Sequence, residues 1–469
     1  MTITKIFLLI IIGLISISVS AKDYYISSST GNDQNKGTSA ENAWASFEKL
    51  NDIFFEPGDR ILLKAGDTIR SAIELSAIRG SDTKPITFTK YGEGPNPLLD
   101  GNGADKAIFL RNPSYVEIKK LSVTNPEGRY GILVEAENSG ALKDLVISEL
   151  EVFDVYNESF NTTSPPKTIG GIVFRAESGD QPSWFDGILI EDSRIHDLGS
   201  CGISIGSDYK VNKRIDDGEN TYPTLNVIIR NNVIHDIVRD GAIIRQCYGA
   251  IMEHNEVYRT GLVAVSNGMW FYDSDSCFIQ HNIGHHCKAA FDKDGAPFSI
   301  DNMCTNSVIQ FNYSYENEGP GYMLFGHNEN GGSGCVIQHN ISYNDHTNSV
   351  SAGIGSISLV STVTNAEVRD NVVIAGPATG SVLGHRNWDG YPLDVKYTNN
   401  LFIGNGIAFL DKNVLPAGTF RDNFFINIAD LPEKLMEENN KVSNYFGKLQ
   451  EMIKRFDQVN GHNVAKFMD

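Results

Sequence analysis

Aligning the chain on a recurring asparagine gathers its reactive side chains into two columns. At the ends of the strand-like segments 241–247, 268–273, 295–301, 321–328 and 380–386 stand Arg245, Tyr272 with Asp273, Asp301, His327, and His385 with Arg386. Arginines can clamp a carboxylate through paired hydrogen bonds, His327 and Tyr272 can give or take a proton, and two aspartates can share acid and base duties at a glycosidic bond. The second column lies three residues after each asparagine position: His196, His235, Tyr258, His285, Tyr315 and Tyr343. Its rings either stack on one another or floor a groove for sugar rings, with Trp270 as a further sugar contact. Between the columns, His285-His286, Asp292, Lys293 and Asp294 form a charged loop. Carboxylates of this kind suit Ca²⁺, with Asp292 and Asp294 as candidate ligands, although the chain has neither an EF-hand pattern nor zinc-like His spacing.

The elements that must position these groups are short. Asn232, Asn255, Asn282, Asn312, Asn340, Asn371, Asn400 and Asn423 recur at intervals of 23 to 31 residues. Three residues before each stands an apolar or aromatic residue: Ile229, Met252, Ile279, Ile309, Ile337, Val368, Tyr397 and Phe420. Segments of about four to six residues with period-two alternation, broken by Gly, Asn, Asp and Ser, exclude a helical or leucine-rich repeat. A repeat of this length and texture implies an all-β parallel solenoid of about ten coils. Coils stacked at ~4.8 Å would place asparagine on asparagine, so their amides can bond along the axis. Leu121, Leu150 and Ser193 occupy the same position in earlier rungs, which puts the first regular coil near residue 80.

Residues 1–21 combine Lys5, an apolar run and a small-residue end, the pattern of a secretory signal cleaved after Ala21. The run is too short for a membrane span, so a periplasmic or secreted monomer is expected. The formal charge is −19, which argues against nucleic acid as a partner; an acidic glycan would require a local cationic pocket or a bound cation. Cys277 and Cys335 fall in one column two coils apart, ~9.6 Å, beyond the reach of a disulfide. The six cysteines are therefore read as buried free thiols.

Residues 22–80 have a different texture. Tyr24-Tyr25-Ile26 suggests a strand, and Trp44, Phe47, Leu50 and Phe54 at helical spacing suggest an amphipathic helix over 43–53. Together they would cover the open first coil, as a solenoid end requires. The β-helix is expected over 81–430, and 431–469, with Leu435, Met436, Leu449, Met452, Ile453 and Phe456, reads as a helical C-terminal cap.

The order Asp23-Tyr24-Tyr25-Ile26, Trp44, Pro57-Gly58-Asp59, Pro85-Ile86-Thr87 and Tyr91-Gly92 ahead of the asparagine rungs resembles exported right-handed parallel β-helix carbohydrate-active proteins of the pectate-lyase-like superfamily. The resemblance covers nearly the whole mature chain. Segment 294–301, followed by Asn312-Tyr313-Ser314 and Asn317-Glu318-Gly319, is similar to those of glycan-active members. It implies a uronate-containing acidic poly- or oligosaccharide as partner, ulvan first and alginate or pectate next. Fold does not decide chemistry, since the superfamily holds lyases, hydrolases and esterases.

For a uronate the expected chemistry is β-elimination. Arg245 and Arg386 would neutralise the substrate carboxylate, His327 or Tyr272 would act as base or acid, and Lys293 or His285 would fill the remaining role. Chain cleavage makes the protein a lyase; loss of water from a non-reducing-end uronate makes it a dehydratase. Two other readings stand beside this one: a glycoside hydrolase pairing Asp273 with Asp301, with Asp294 near, and a non-catalytic glycan-binding protein.

Overall fold

The structure is a computed structural model describing residues 20–156, 165–177, 179–207, 222–327, 331–348, 353–436 and 441–442. The expected signal segment, apart from its last two residues, lies outside the described residues. Each full coil contributes one short strand to each of three long sheets. Sheet 1 includes Arg60–Lys64 and Phe278–Gln280, sheet 2 Thr68–Arg70 and Ile283–His285, and sheet 3 Ile73–Ser76 and Phe298–Ile300. Neighbouring strands pair in parallel, for example Ile279 with Ile309 and Ile309 with Ile337. The fold is thus an all-β parallel β-helix, right-handed as connections between parallel strands are. Sheet 3 alone holds 12 described strands, more than the ten coils expected.

The asparagine phrase explains the corner between sheets 1 and 2. Each Asn is preceded by a residue in the left-handed region: Asn231, His254, His281, Phe311, His339, Asp370, Asn399 and Asp422 all have φ between 53° and 58°. A single left-handed residue turns the chain sharply, at roughly 1–2 kcal/mol for a side chain with Cβ. The buried Asn offsets that cost. Asn312 Nδ2 donates to Ile279 O, Gln310 O and Asn340 Oδ1 at 2.9, 2.9 and 3.0 Å, while its Oδ1 accepts from Asn282 N and Nδ2 at 2.9 and 3.0 Å. The same amide-to-amide bond runs unbroken from Asn232 to Asn423. Ser193 continues the rung by donating its backbone N–H to Asn232 Oδ1 at 3.0 Å. Outside the corner, His254, His281, Phe311 and His339 stack at 5.1 Å per step.

The ends depart from expectation. Parallel pairing begins with Asp23–Ile26 on Arg60–Lys64, so coil strands already occur inside the 22–80 segment expected as a cap. Thr68–Arg70 and Ile73–Ser76 are too short for their alternation to stand out. No α-helix forms over 43–53. Trp44 bridges Ile26, a 3₁₀ turn covers Glu48–Asp52, and Phe54 is exposed. Trp44, Phe47 and Leu50 are nonetheless buried, with Trp44 stacked on Tyr24 and Tyr24 edge-on to Phe55. At the other end Glu433–Met436 is a 3₁₀ turn and Lys441–Val442 adds a strand to sheet 2. The remainder of the expected helical cap lies outside the described residues. All six cysteines are buried free thiols.

Candidate active site

The outer face of sheet 3 is where chemistry gathers. Period-two alternation sends Met269, Phe271, Phe298, Ile300, Tyr322 and Leu324 into the core and their neighbours outward. Strand register then aligns Ile243, Trp270, Ser299, Met323 and Ser358 in one outer column. Tyr272 aligns with Arg245, and Arg386 with Val360 and Phe325. Asp301 falls between them, its backbone N–H donating to Phe271 O at 2.9 Å.

Asp301 is half-buried and accepts a hydrogen bond from the Ser299 hydroxyl. Burial, and after it the charge of Asp294, pushes its carboxyl up to about 7; the Ser299 hydroxyl and the Lys167 charge work in the other direction. Asp294 stands at the turn leading into the same strand, with φ 54°. The turn of the next coil presses on it, since a Cβ on Gly319 would collide with the Asp294 carbonyl oxygen. Burial raises the Asp294 pKa, Asp240 raises it further, and Lys167, Arg386 and Lys293 oppose the rise. Two interacting carboxyls therefore share a site in which one proton is retained more readily than two are lost.

A fixed frame surrounds the pair. Asp240 is fully buried; its Oδ1 accepts from Trp270 Nε1 at 3.0 Å and its Oδ2 from Arg239 Nε at 3.1 Å. Lys167 places its ammonium 4.0 Å from the centre of the Trp270 ring. Asp294 also lines a cleft with Glu318, Met323, His346, Arg386 and Trp388. Lys167, Asp240, His346 and Trp388 were not legible as site residues. Lys167 precedes its strand in an irregular stretch outside the repeat phrase, and Asp240 sits one residue before the aligned segment that begins at Gly241.

The other expected site residues are distributed differently. Asp273 is buried, and burial pushes its carboxyl up to about 7 with Gln246 opposing; Asp301 takes Asp294 as its carboxyl neighbour in place of Asp273. The reason is register: Asp273 N pairs with Asn302 O, one position past Asp301. Tyr272 does reach the site, its phenol pushed up by burial, then by Asp273 and to a smaller degree by Asp301. His385 faces inward, opposite Leu359, with Nε2 on the Tyr397 hydroxyl and burial lowering its pKa to about 4. It is a core histidine, whereas Arg386, one residue on, faces outward. His327 turns toward Asp389, with Nδ1 3.5 Å from Oδ2, outside the cleft. Arg245 lies over Gly206 and Arg386 five strands further along sheet 3. At ~4.8 Å per strand that is about 24 Å, so the two arginines cannot clamp one carboxylate.

His196, His235, Tyr258, His285 and Tyr315 belong to sheet 2 and stack at 4.6 to 4.9 Å with planes within 15° of parallel. Their faces are spent on each other, which leaves only edges for a sugar. Glu256 holds His285 Nε2 at 3.2 Å, and Arg194 donates to His235 Nε2 at 3.1 Å. Trp270 is almost fully buried and acts on the frame, not as a sugar platform. Lys293 is exposed, 6.0 Å from the Trp388 ring centre. No group of three His, Cys, Asp or Glu able to hold a metal occurs among the described residues. Three cations around Asp294 make it a poor Ca²⁺ ligand, and the Asp292 side chain lies outside the described part of the structure.

No protein-family model matches the chain. It is similar to a lacto-N-biosidase of Bifidobacterium longum subsp. longum, 23% identical over an alignment 514 positions long that covers 88% of this chain and 31% of that protein. The chain thus spans less than a third of that relative's length. Among solved structures, a GH136 lacto-N-biosidase from Eubacterium ramulus superposes with a TM-score of 0.63 at 18% identity, covering 85% of this chain and 68% of the other. The A-module of a mannuronan C-5 epimerase from Azotobacter vinelandii gives 0.54 at 16% identity, covering 77% and 91%. The chain shares its β-helix with carbohydrate-active proteins whose names span different reactions, and at these identities the likeness establishes the fold.

Proposed function

We propose that the protein is an exported glycoside hydrolase that cleaves a glycosidic bond with Asp294 and Asp301 as its carboxyl pair. The observation that carries this reading is that the charge of Asp294 acts on Asp301, two half-buried carboxyls that flank the sheet 3 strand Phe298–Ile300 and both have raised pKa values. Glycoside hydrolysis needs one carboxyl to protonate the departing oxygen and another to act as nucleophile or as base toward water. A pair that holds one proton near neutral pH supplies both forms at once. In the reaction the C–O bond to the leaving sugar breaks, the oxygen takes the proton of one carboxyl, and water finally contributes OH to the anomeric carbon and returns a proton to the pair. The name of the Bifidobacterium relative agrees with hydrolysis. Elimination loses its main support with the separation of Arg245 from Arg386. Export follows from the segment 1–21 as read in the sequence.

The test is to incubate the mature protein with neutral and uronate-containing glycans and follow mass, reducing ends and ultraviolet absorbance. Hydrolysis adds the mass of water and creates reducing ends without unsaturation. An absorbance rise from unsaturated uronate would overturn the reading in favour of elimination.

A further inference from the structure

Cations on this solenoid are commonly held by carboxylates. Arg60 pairs with Asp23, Arg129 with Asp105, Arg230 with Glu191 and Arg259 with Asp236. The cations around the carboxyl pair are held differently. Lys167 lies over Trp270, while Lys293 and Arg386 lie 6.0 and 5.9 Å from the centre of the Trp388 ring. None of the three makes an ion pair with a described residue. An aromatic face positions a cation without neutralising it. In a chain of net charge −19, three cations without an ion pair among the described residues act together on Asp294, and one of them, Arg386, lines the cleft beside it.

A second feature of the cleft also points to a ligand. His346 is 3% exposed and lines the cleft, and its ring nitrogens make no well-aligned hydrogen bond among the described residues, the Ser381 backbone lying near enough only to raise its pKa slightly against burial. A buried imidazole without such bonds is costly, on the order of 1–3 kcal/mol per unsatisfied group. Burial holds its pKa near 4, so near neutral pH it offers one donor and one acceptor and adds no charge. Met323, Ile354 and Val360 complete an apolar wall. The combination fits a sugar unit with hydroxyls, an apolar face and a negative substituent.

We infer that the cleft between Arg386, Lys293 and His346 is an anion-selective sugar subsite, which takes a unit bearing a carboxylate or sulfate beside the Asp294–Asp301 pair. Arg386 and Lys293 face the anion, and His346 meets a hydroxyl of the same unit. This inference rests on the hydrolase reading for its placement next to the scissile bond, but it makes a separate claim about binding.

The experiment measures binding and turnover independently. Oligosaccharides carrying both uronate and sulfate, together with their carboxyl-reduced and desulfated derivatives, are titrated calorimetrically into a protein carrying Asp294→Asn and Asp301→Asn. The intact ligand is expected to bind roughly 10- to 100-fold tighter than the derivative lacking the recognised anion, and which derivative weakens says whether carboxylate or sulfate is recognised. Adding Arg386→Gln should shrink that preference to about threefold or less. Equal binding of all three ligands, or no binding of any, overturns the inference. So does an equal loss on all three with Arg386→Gln, which would assign Arg386 to tuning Asp294 alone. An Arg386-dependent preference without new reducing ends from the unsubstituted protein would uphold the subsite and defeat the hydrolase reading.

Discussion

Lys167 Nζ stands 4.0 Å from the centre of the Trp270 ring, whose Nε1 is itself anchored on Asp240. A lysine outside the repeat phrase is thereby held where its charge lowers the pKa of both Asp294 and Asp301. Replacing it by glutamine removes a charge that favours ionisation of both carboxyls, so protons should leave the pair at higher pH. Both limbs of the kcat/KM profile between pH 4 and 9 are expected to move upward, with activity on the acid side falling roughly tenfold. A profile of unchanged shape and position would remove Lys167 from the site's electrostatics.

Stability carries the opposite signature of the same pair. The Asp301 carboxyl is pushed up to about 7, so the folded protein binds its proton more tightly than the unfolded chain does. Its contribution is complete below the ordinary carboxylate pKa and is lost as pH rises through about 7. At pH 8 the ionised group is a liability. Asp301→Asn should therefore be more stable than the parent at pH 8 by about 1–3 kcal/mol, after allowing for the solvent that reaches the carboxyl. The advantage should vanish toward pH 4. Thermal unfolding at both pH values checks this, and a pH-independent difference would point to packing.

The ladder can be tested at its centre. Asn312→Leu strips partners from Asn282, Asn340 and the carbonyls of Ile279 and Gln310 in one step. With each unsatisfied buried group costing ~1–3 kcal/mol, a loss of at least about 3 kcal/mol is expected by denaturant unfolding. A loss under about 1 kcal/mol would mean that neighbouring backbone relaxes to replace the amide.

What could be read from the sequence was what repeats. Asn232 to Asn423 and the apolar column from Ile229 to Phe420 are stacked and buried as their spacing implied, because a solenoid applies one environment to every coil. Parity within sheet 3 was harder. Alignment by strand end sets His385 beside Arg386 although adjacent strand residues face opposite sides, and sets Asp273 beside Asp301 across a register offset of one. Lys167 and Trp388 lie where the chain leaves the repeat, so no periodic signal reports them. Arg245 and Arg386 do share one face, but five strand steps of sheet 3 separate them. The strand Ile357–Val360, which intervenes before Arg386, lacks a strand-end ionisable group that would have marked it.

The identity of the second carboxyl is the sharpest remaining test. Asp273 and Asp294 both have raised pKa values, yet only Asp294 contributes a charge felt by Asp301 and also lines the cleft. Asp273→Asn should keep kcat/KM within about threefold of the parent and, by the same sign as Asp301, gain stability above pH 7. Asp294→Asn and Asp301→Asn should each lose about 10²–10⁴-fold, the range expected when a proton donor or acceptor is removed. The double variant should be little worse than either single one, because the two carboxyls act as a unit. If Asp273→Asn proves as damaging as Asp301→Asn while Asp294→Asn is mild, the carboxyl pair moves one strand along sheet 3 and the cleft lined by Asp294 ceases to be the site of bond cleavage.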